Sequence, residues 1–241
     1  ATLELAQQKL AAKELYMRSC FQKIGSNIEK LKANERIRII ADIFRGVNQE
    51  IRPISSSEFL RGAEKSLCCP DYFEFKKDYF MYNDKFARMV YLKHLPSSLV
   101  DDMLKDLCET SLPIVVTVNI APVDPSEAIK VVKRQLTAMR SNKMQKEKKA
   151  SQHGVYSDVI SDDLKQSLAE AEELLNDLQS KNQKMFLLNL VVMVTGTSFD
   201  ELDNNTDKIE AVFRKHVCTT SRANFQQEDA MASCLPLGNC R

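Results

Sequence analysis

Residues 113–120 read Pro113-Ile114-Val115-Val116-Thr117-Val118-Asn119-Ile120, and residues 124–130 follow as Asp124-Pro125-Ser126-Glu127-Ala128-Ile129-Lys130. The first run is β-branched and uncharged, which predicts a strand, and its almost wholly apolar content predicts a central one covered on both faces. The second run supplies an acceptor at a helix cap, a proline in the first turn and an acid at the positive end of the dipole. A long helix, not a tight turn, is therefore expected after the strand. Its apolar face is Ile129, Val132, Leu136 and Met139, and it runs to about Lys149. Gly154 sits in a breaker stretch, Ser151 to Ser157. Beyond it Ser161 caps a return helix whose Leu164, Leu168, Ala171, Leu175 and Leu178 alternate by four and three, the spacing of a helix-on-helix seam. The pair predicts an antiparallel hairpin. Arg140, Lys143, Lys146, Lys148 and Lys149 end its first helix, while Asp158, Asp162, Asp163, Glu170, Glu172 and Glu173 lie along the second. At about 1.5 Å per residue such an arm reaches roughly 35 Å.

Strand-helix-strand units flank the hairpin. Before it, Ala87 to His94 reads as a strand and Pro96 breaks it. Ser98 with Asp101 then opens a helix to about Glu109, buried through Leu99, Met103, Leu104 and Leu107. After it, Phe186 to Val194 reads as a buried strand. Ser198 with Glu201 forms a capping box, a helix runs to about Lys215 with Leu202, Ile209, Val212 and Phe213 inward, and Val217 to Thr220 is a short strand. A last helix holds Gln226 to Cys234. This order predicts an α+β fold, a ferredoxin-like split βαβ antiparallel sheet in which a helical hairpin over 124–184 replaces the connection between the second and third strands. Right-handed crossovers put both short helices on one sheet face and leave the other for Leu3 to Gly46 or the arm.

The expected domains are 86–241 for that sheet and 1–85 for a helical and irregular amino-terminal annex. Leu3, Leu10, Met17, Ile24 and Leu31 recur every seven residues, which predicts one amphipathic helix to about Lys32 with Gly25 as its weak point. The stripe suits a helix lying on its own domain, or a coiled-coil seam. Asn34 restarts a helix through Ile37, Ile40, Ala41 and Phe44. From Val47 to Asp84 the pattern is irregular, anchored by Tyr72, Phe73, Phe75, Tyr79, Phe80 and Tyr82.

Composition narrows the chemistry. Thirty-four basic against thirty-three acidic residues leave a net charge of +1, so no global field recruits nucleic acid or anionic lipid. The seven cysteines, Cys20, Cys68, Cys69, Cys108, Cys218, Cys234 and Cys240, have no framework spacing, which points to a reducing compartment. The longest apolar run, Met185 to Val194 interrupted by Asn189, is too short to span a bilayer. None of the six glycines forms the spacing of a phosphate-binding loop, whose backbone must approach phosphate closely. Zinc-type clusters are missing too: Cys68 and Cys69 are adjacent, and His216 with Cys218 is a lone pair. His94 and His153 carry no local signature, Cys108 and Cys218 read as core thiols, and Asp101-Asp102 and Asp162-Asp163 suit helix first turns. No catalytic, cofactor-binding or metal-binding residue is therefore assigned. A hydrolase would need an exposed, low-pKa cysteine in a cleft. Nucleic-acid binding rests on Arg140 to Lys149 alone, since the strands lack the stacking aromatics of RNA-binding sheets.

Several segments resemble one family. They are Tyr72-Phe73-Glu74-Phe75, Asp78-Tyr79-Phe80, Phe86-Ala87-Arg88, and Asp124-Pro125-Ser126-Glu127-Ala128-Ile129-Lys130 with Val132-Lys133-Arg134. Asn182-Gln183-Lys184-Met185-Phe186, Gln226-Gln227-Glu228 and Ser233-Cys234-Leu235-Pro236-Leu237-Gly238 complete the set. Together they look like the amino-terminal region of the CagE/TrbE/VirB group of conjugative-transfer ATPases of type IV secretion systems, in the version carried by Gram-positive elements. Cys68-Cys69 lies outside that pattern. The resemblance implies a non-catalytic docking and assembly domain supporting DNA transfer. It also implies a parent protein whose RecA-like motor, with ATP and Mg, follows Arg241. Expected partners are other secretion components and further copies of the chain, in a peripheral complex at the cytoplasmic face of the membrane, with no transmembrane segment and with direct DNA contact left open. The chain start at Ala1-Thr2-Leu3 and its end at Gly238-Asn239-Cys240-Arg241 fit a piece of a longer protein. The alternative is a stand-alone ferredoxin-like nucleic-acid-binding or adaptor protein.

Overall fold

The computed structural model describes residues 2–45, 68–96, 98–99, 102–152, 162–181 and 183–236. They form an α+β protein of seven helices and a six-stranded antiparallel sheet. The chain divides into two compact units, Ala1–Glu74 and Phe75–Arg241.

In the first unit, α1 spans Thr2–Lys23 and α2 spans Ala33–Arg45. The single helix expected to about Lys32 is thus cut short. Gly25 takes φ +76°, a left-handed conformation open to glycine, and the Ser26 amide closes back on the Phe21 carbonyl at 2.9 Å. No residue of α1 is buried, and Leu3, Leu10, Met17, Ile24 and Leu31 all stay exposed. Among the described residues of this unit, none covers the seven-residue stripe. By contrast α2 buries Ile37, Ala41 and Phe44, and Phe44 meets Phe73 edge-on at 5.5 Å.

β1, Phe73–Phe75, spans the boundary of the two units. β2, Phe80–Tyr82, turns through Asn83 at φ +47° into β3, Lys85–His94. A hairpin thus lies where only irregular chain was expected, because asparagine tolerates the positive φ that a two-residue turn needs. Next come α3 (Asp102–Cys108), β4 (Ile114–Pro122), α4 (Pro125–Gln152), α5 (Asp162–Ser180), β5 (Phe186–Gly196), α6 (Phe199–Lys215), β6 (Thr219–Arg222) and α7 (Gln227–Cys234).

The strand order is β1-β2-β3-β5-β4, with β6 paired to β3. β3 and β4, consecutive through α3, are therefore not neighbours, because β5 lies between them. Val90 pairs Val192 across β3 and β5, and Val116 pairs Val192 across β4 and β5. β4 is an edge strand, which corrects the expectation that its apolar run is central and doubly covered. β5, equally apolar, holds the central place, and an uncharged run does not by itself say which of two such strands has neighbours on both sides.

One sheet face carries α3 and α6 over a core of Val90, Leu190, Val192 and Val194 against Met103, Leu107, Leu202, Ile209 and Phe213. On the opposite face α7 packs on β3, β4 and β5. Its hold is polar: the Gln227 Oε1 accepts from the Met89 amide at 2.9 Å and its Nε2 donates to the Ala223 carbonyl at 3.0 Å. Thr117 and Asn119 of β4 donate to the last carbonyls of the helix, Cys234 and Ser233, both at 3.2 Å.

Sequence patterning gives no hint of the role of Arg88. It is 1% exposed, yet its guanidinium bonds the Asp78 carbonyl and carboxylate, Asp203 and Thr206, and sits 5.7 Å from the Phe199 ring. This arginine fastens the turn before β2 to the first half of α6. At the start of that helix Ser198 caps the Glu201 amide, while Glu201 reaches back to the Thr197 amide and hydroxyl instead of the cap residue's own amide. Those bonds from Thr197 hold the Glu201 carboxyl below its usual range.

Candidate functional site

The arm begins where β4 ends. Asp124 Oδ1 accepts from the Ser126 and Glu127 amides at 2.8 and 3.4 Å, so the cap lies where the sequence placed it. Lys130 then pairs with Glu127 at 2.7 Å. The two feet are tied by the Val123 amide donating to the Met185 carbonyl at 3.0 Å. Above them Ala128, Val132 and Leu178 are buried, with Val123, Ile129, Leu175 and Met185 packed around. Leu136 and Leu168 extend the seam outward. This hairpin relies on one row of apolar side chains from each helix, a narrow seam for an arm of this length.

Charge crosses the seam as expected. Arg140 Nη2 lies 2.7 Å from Glu172 Oε1, and beside them a cleft of about 440 Å³ is lined by Lys133, Leu136, Thr137 and Leu175. Lys143 faces Glu147 on its own helix at 4.0 Å. These pairs are half-exposed, so each contributes little stability. They do occupy part of the basic run that a nucleic-acid surface would use. The hairpin tip, with His153, Gly154, Asp158 and Ser161, and the side chains of Lys149, Asp162 and Asp163 lie outside the described residues.

At the root of the arm the outer halves of β4 and β5 form a two-stranded ribbon with no charged residue from Leu112 to Val123 or from Met185 to Gly196. Ile120 pairs Leu188, and Pro122 pairs Phe186, so these side chains share the face that carries Val118. Ile120 is 63% exposed and Phe186 54%, while Leu187, 63% exposed, projects from the opposite face. Sequence reasoning missed this patch because the same apolar pattern describes a buried strand. Exposed apolar side chains gathered on one face, as Val118, Ile120, Phe186 and Leu188 are here, are the feature that interaction surfaces share.

The remaining candidates separate. His216 Nε2 lies 2.7 Å from Asp106 Oδ2, which also receives Lys215 Nζ at 2.6 Å, tying α6 to α3. Hydrogen bonding from Lys215, then from His216, holds the Asp106 carboxyl below its ordinary value. Cys218 points into the core, its sulfur 3.6 Å from Met103 Sδ and 3.5 Å from the His216 carbonyl, and burial pushes its thiol up. Cys108, expected in the core, is exposed at the end of α3. His94, at the end of β3, is exposed as well. Among the described residues no group of three or more His, Cys, Asp or Glu could hold a metal, and no helix is long and apolar enough to cross a membrane. The sequence matches no protein-family model, and no curated protein is significantly similar to it.

Proposed function

We propose that this chain is a non-catalytic docking and assembly domain, belonging to the amino-terminal region of a conjugative-transfer ATPase of the CagE/TrbE/VirB group. The observation that carries the docking reading is the uncharged ribbon at the root of the arm, with Val118, Ile120, Phe186, Leu187 and Leu188 open to solvent. The family assignment rests on the resemblance of the motifs alone. In this reading the ribbon and arm bind another protein of the secretion complex at the cytoplasmic face of the membrane. The ATP and Mg chemistry belongs to a motor outside these residues.

A ferredoxin-like ancestry for β3 to β6 is part of the proposal. It is supported by β5 lying between β3 and β4, by β6 pairing with β3 and by α3 and α6 sharing one face. β1 and β2 are then additions, and the α4–α5 hairpin replaces the second-to-third-strand turn.

The test replaces Ile120 and Leu187 together with glutamate in a cell carrying the transfer system. Exposed apolar positions tolerate charge with little loss of fold stability, so a docking surface predicts that transfer collapses while the isolated chain keeps its urea midpoint. Unchanged transfer sinks the docking role of the ribbon. Reversing Arg140, Lys143, Lys146 and Lys148 tests the nucleic-acid alternative, which predicts a salt-dependent affinity lost with those charges.

A further inference from the structure

Cys68 and Cys69 lie in the first unit with their sulfurs 3.9 Å apart. Three restraints hold them there. Cys68 is buried against Ile37 and Ala41 of α2, the Cys69 carbonyl accepts from Arg45 Nη2 at 3.0 Å, and Pro70 fixes the backbone that follows. Neither thiol belongs to a larger ligand cluster among the described residues, so a tetrahedral metal site, which needs three or four ligands, is not what the pair offers. Two thiols in contact are the arrangement for two-electron thiol chemistry.

We propose that Cys68 and Cys69 form a paired-thiol modification site, which a low-molecular-weight disulfide such as oxidised glutathione converts to an intramolecular Cys68–Cys69 disulfide. The Cys69 thiolate, the more accessible of the two, attacks one sulfur of the reagent and expels the other as a thiolate, which takes up a proton. The Cys68 sulfur then gives up its proton, attacks Cys69 Sγ in the mixed disulfide and releases the second glutathione as thiol. Two protein thiols lose two electrons and two protons, and one reagent disulfide becomes two thiols.

The order of attack follows from the surroundings. Cys68 is buried and burial, then the neighbouring Cys69, pushes its thiol up, whereas Cys69 is the more open to the reagent, so the exchange starts at Cys69. Cys68 closes the second step because contact with Cys69 makes that step intramolecular. The sulfurs must come from 3.9 Å to about 2.0 Å. Adjacent Cα atoms are only about 3.8 Å apart, below the roughly 4.4 Å at which the usual disulfide range begins. The ring is therefore strained and readily reduced, which makes the modification reversible. This inference does not depend on the docking reading.

The test incubates the full chain with oxidised glutathione, quenches in acid and maps the cysteine peptides by mass spectrometry. Cys108, exposed and with no thiol partner among the described residues, is the internal control and should carry glutathione. The expected result is that the peptide holding Cys68 and Cys69 loses two hydrogens and carries no glutathione. A stable glutathione adduct on that peptide, or fully reduced thiols once Cys108 has reacted, overturns the proposal. Phenylarsine oxide, which bridges paired thiols, should bind there in the parent chain, and Cys69→Ser, at a half-buried position, should abolish that binding. Equal arsenical binding by the Cys69→Ser chain would also refute it.

Discussion

Replacing Arg88 with methionine keeps an unbranched apolar stem in the core and deletes the guanidinium. Four acceptor atoms lose their donor at once: the Asp78 carbonyl and carboxylate, Asp203 Oδ1 and Thr206 Oγ1. Breaking a buried ion pair from one side costs about 3–5 kcal/mol. Here the two carboxylates are 36% and 44% exposed and regain water when orphaned, and Thr206 keeps its bond to the Leu202 carbonyl. The loss should therefore fall near the lower bound, about 3 kcal/mol, discounted for screening of the exposed partners. In a unit of this size that lowers Tm by roughly 6–12 °C. Urea unfolding followed by circular dichroism measures it, and a cycle with Asp203→Asn should return a coupling of about 1–2 kcal/mol. A loss under about 1 kcal/mol, with no coupling, would refute the claim that Arg88 fastens the β2 turn to α6.

Other consequences follow from single contacts. The Asp106 carboxyl is held below its ordinary value of 3.8 by Lys215 and then His216, so its contribution is present above that pH and fades as pH falls below it; Asp106 in turn holds the Lys215 ammonium above its ordinary 10.5, a contribution lost as pH rises beyond that value, so Asp106→Asn should flatten both the acid and the far-alkaline limb of the urea-midpoint profile. Val217 ends α6 at φ +57°, with its amide on the Arg214 carbonyl and the Cys218 amide on the Phe213 carbonyl, a left-handed cap carrying a branched, 76% exposed side chain. Val217→Gly should raise stability by about 0.5–1 kcal/mol in the same urea titration, and a decrease would contradict the strain argument. Gly196 has no room for a methyl group, since an added Cβ would stand 2.7 Å from the Leu202 backbone nitrogen. Gly196→Ala should cost about 1–3 kcal/mol by forcing the first turn of α6 off the end of β5, and wild-type stability would show that this turn yields freely.

The parts of the fold legible from residues were those with a local chemical cause. Asp124-Pro125 announced a helix start, the four-and-three spacing from Leu164 to Leu178 announced the return helix, and Ser198 with Glu201 marked the start of α6. What stayed hidden depended on tertiary neighbours. β4 and β5 carry nearly the same apolar pattern, and only pairing with β3 makes one central and the other an edge. Asn83-Asp84 is a fair turn signal, but the aromatics on both sides of it break the alternation by which a hairpin is recognised. The seven-residue stripe of α1 overrode Gly25, although a residue at positive φ ended the helix. Arg88 stands in an apolar strand where charge suggests an exposed position, and its partners lie 10, 115 and 118 residues away. The apolar root of the arm was unreadable for the same reason as the edge strand: composition reports that side chains are apolar, not whether anything covers them.

The central claim is that the root of the arm is covered by a partner protein in the assembled complex. A photo-crosslinking amino acid at Leu188, which pairs with Ile120 on the same face, introduced into the whole protein in cells that carry the transfer system, tests it most directly. The account predicts a crosslink to another component of that system or to a second copy of the chain, abolished when Ile120 is changed to glutamate. No crosslink beyond the level given by a probe at the exposed Lys208 of α6, or a crosslink only to nucleic acid, would contradict it.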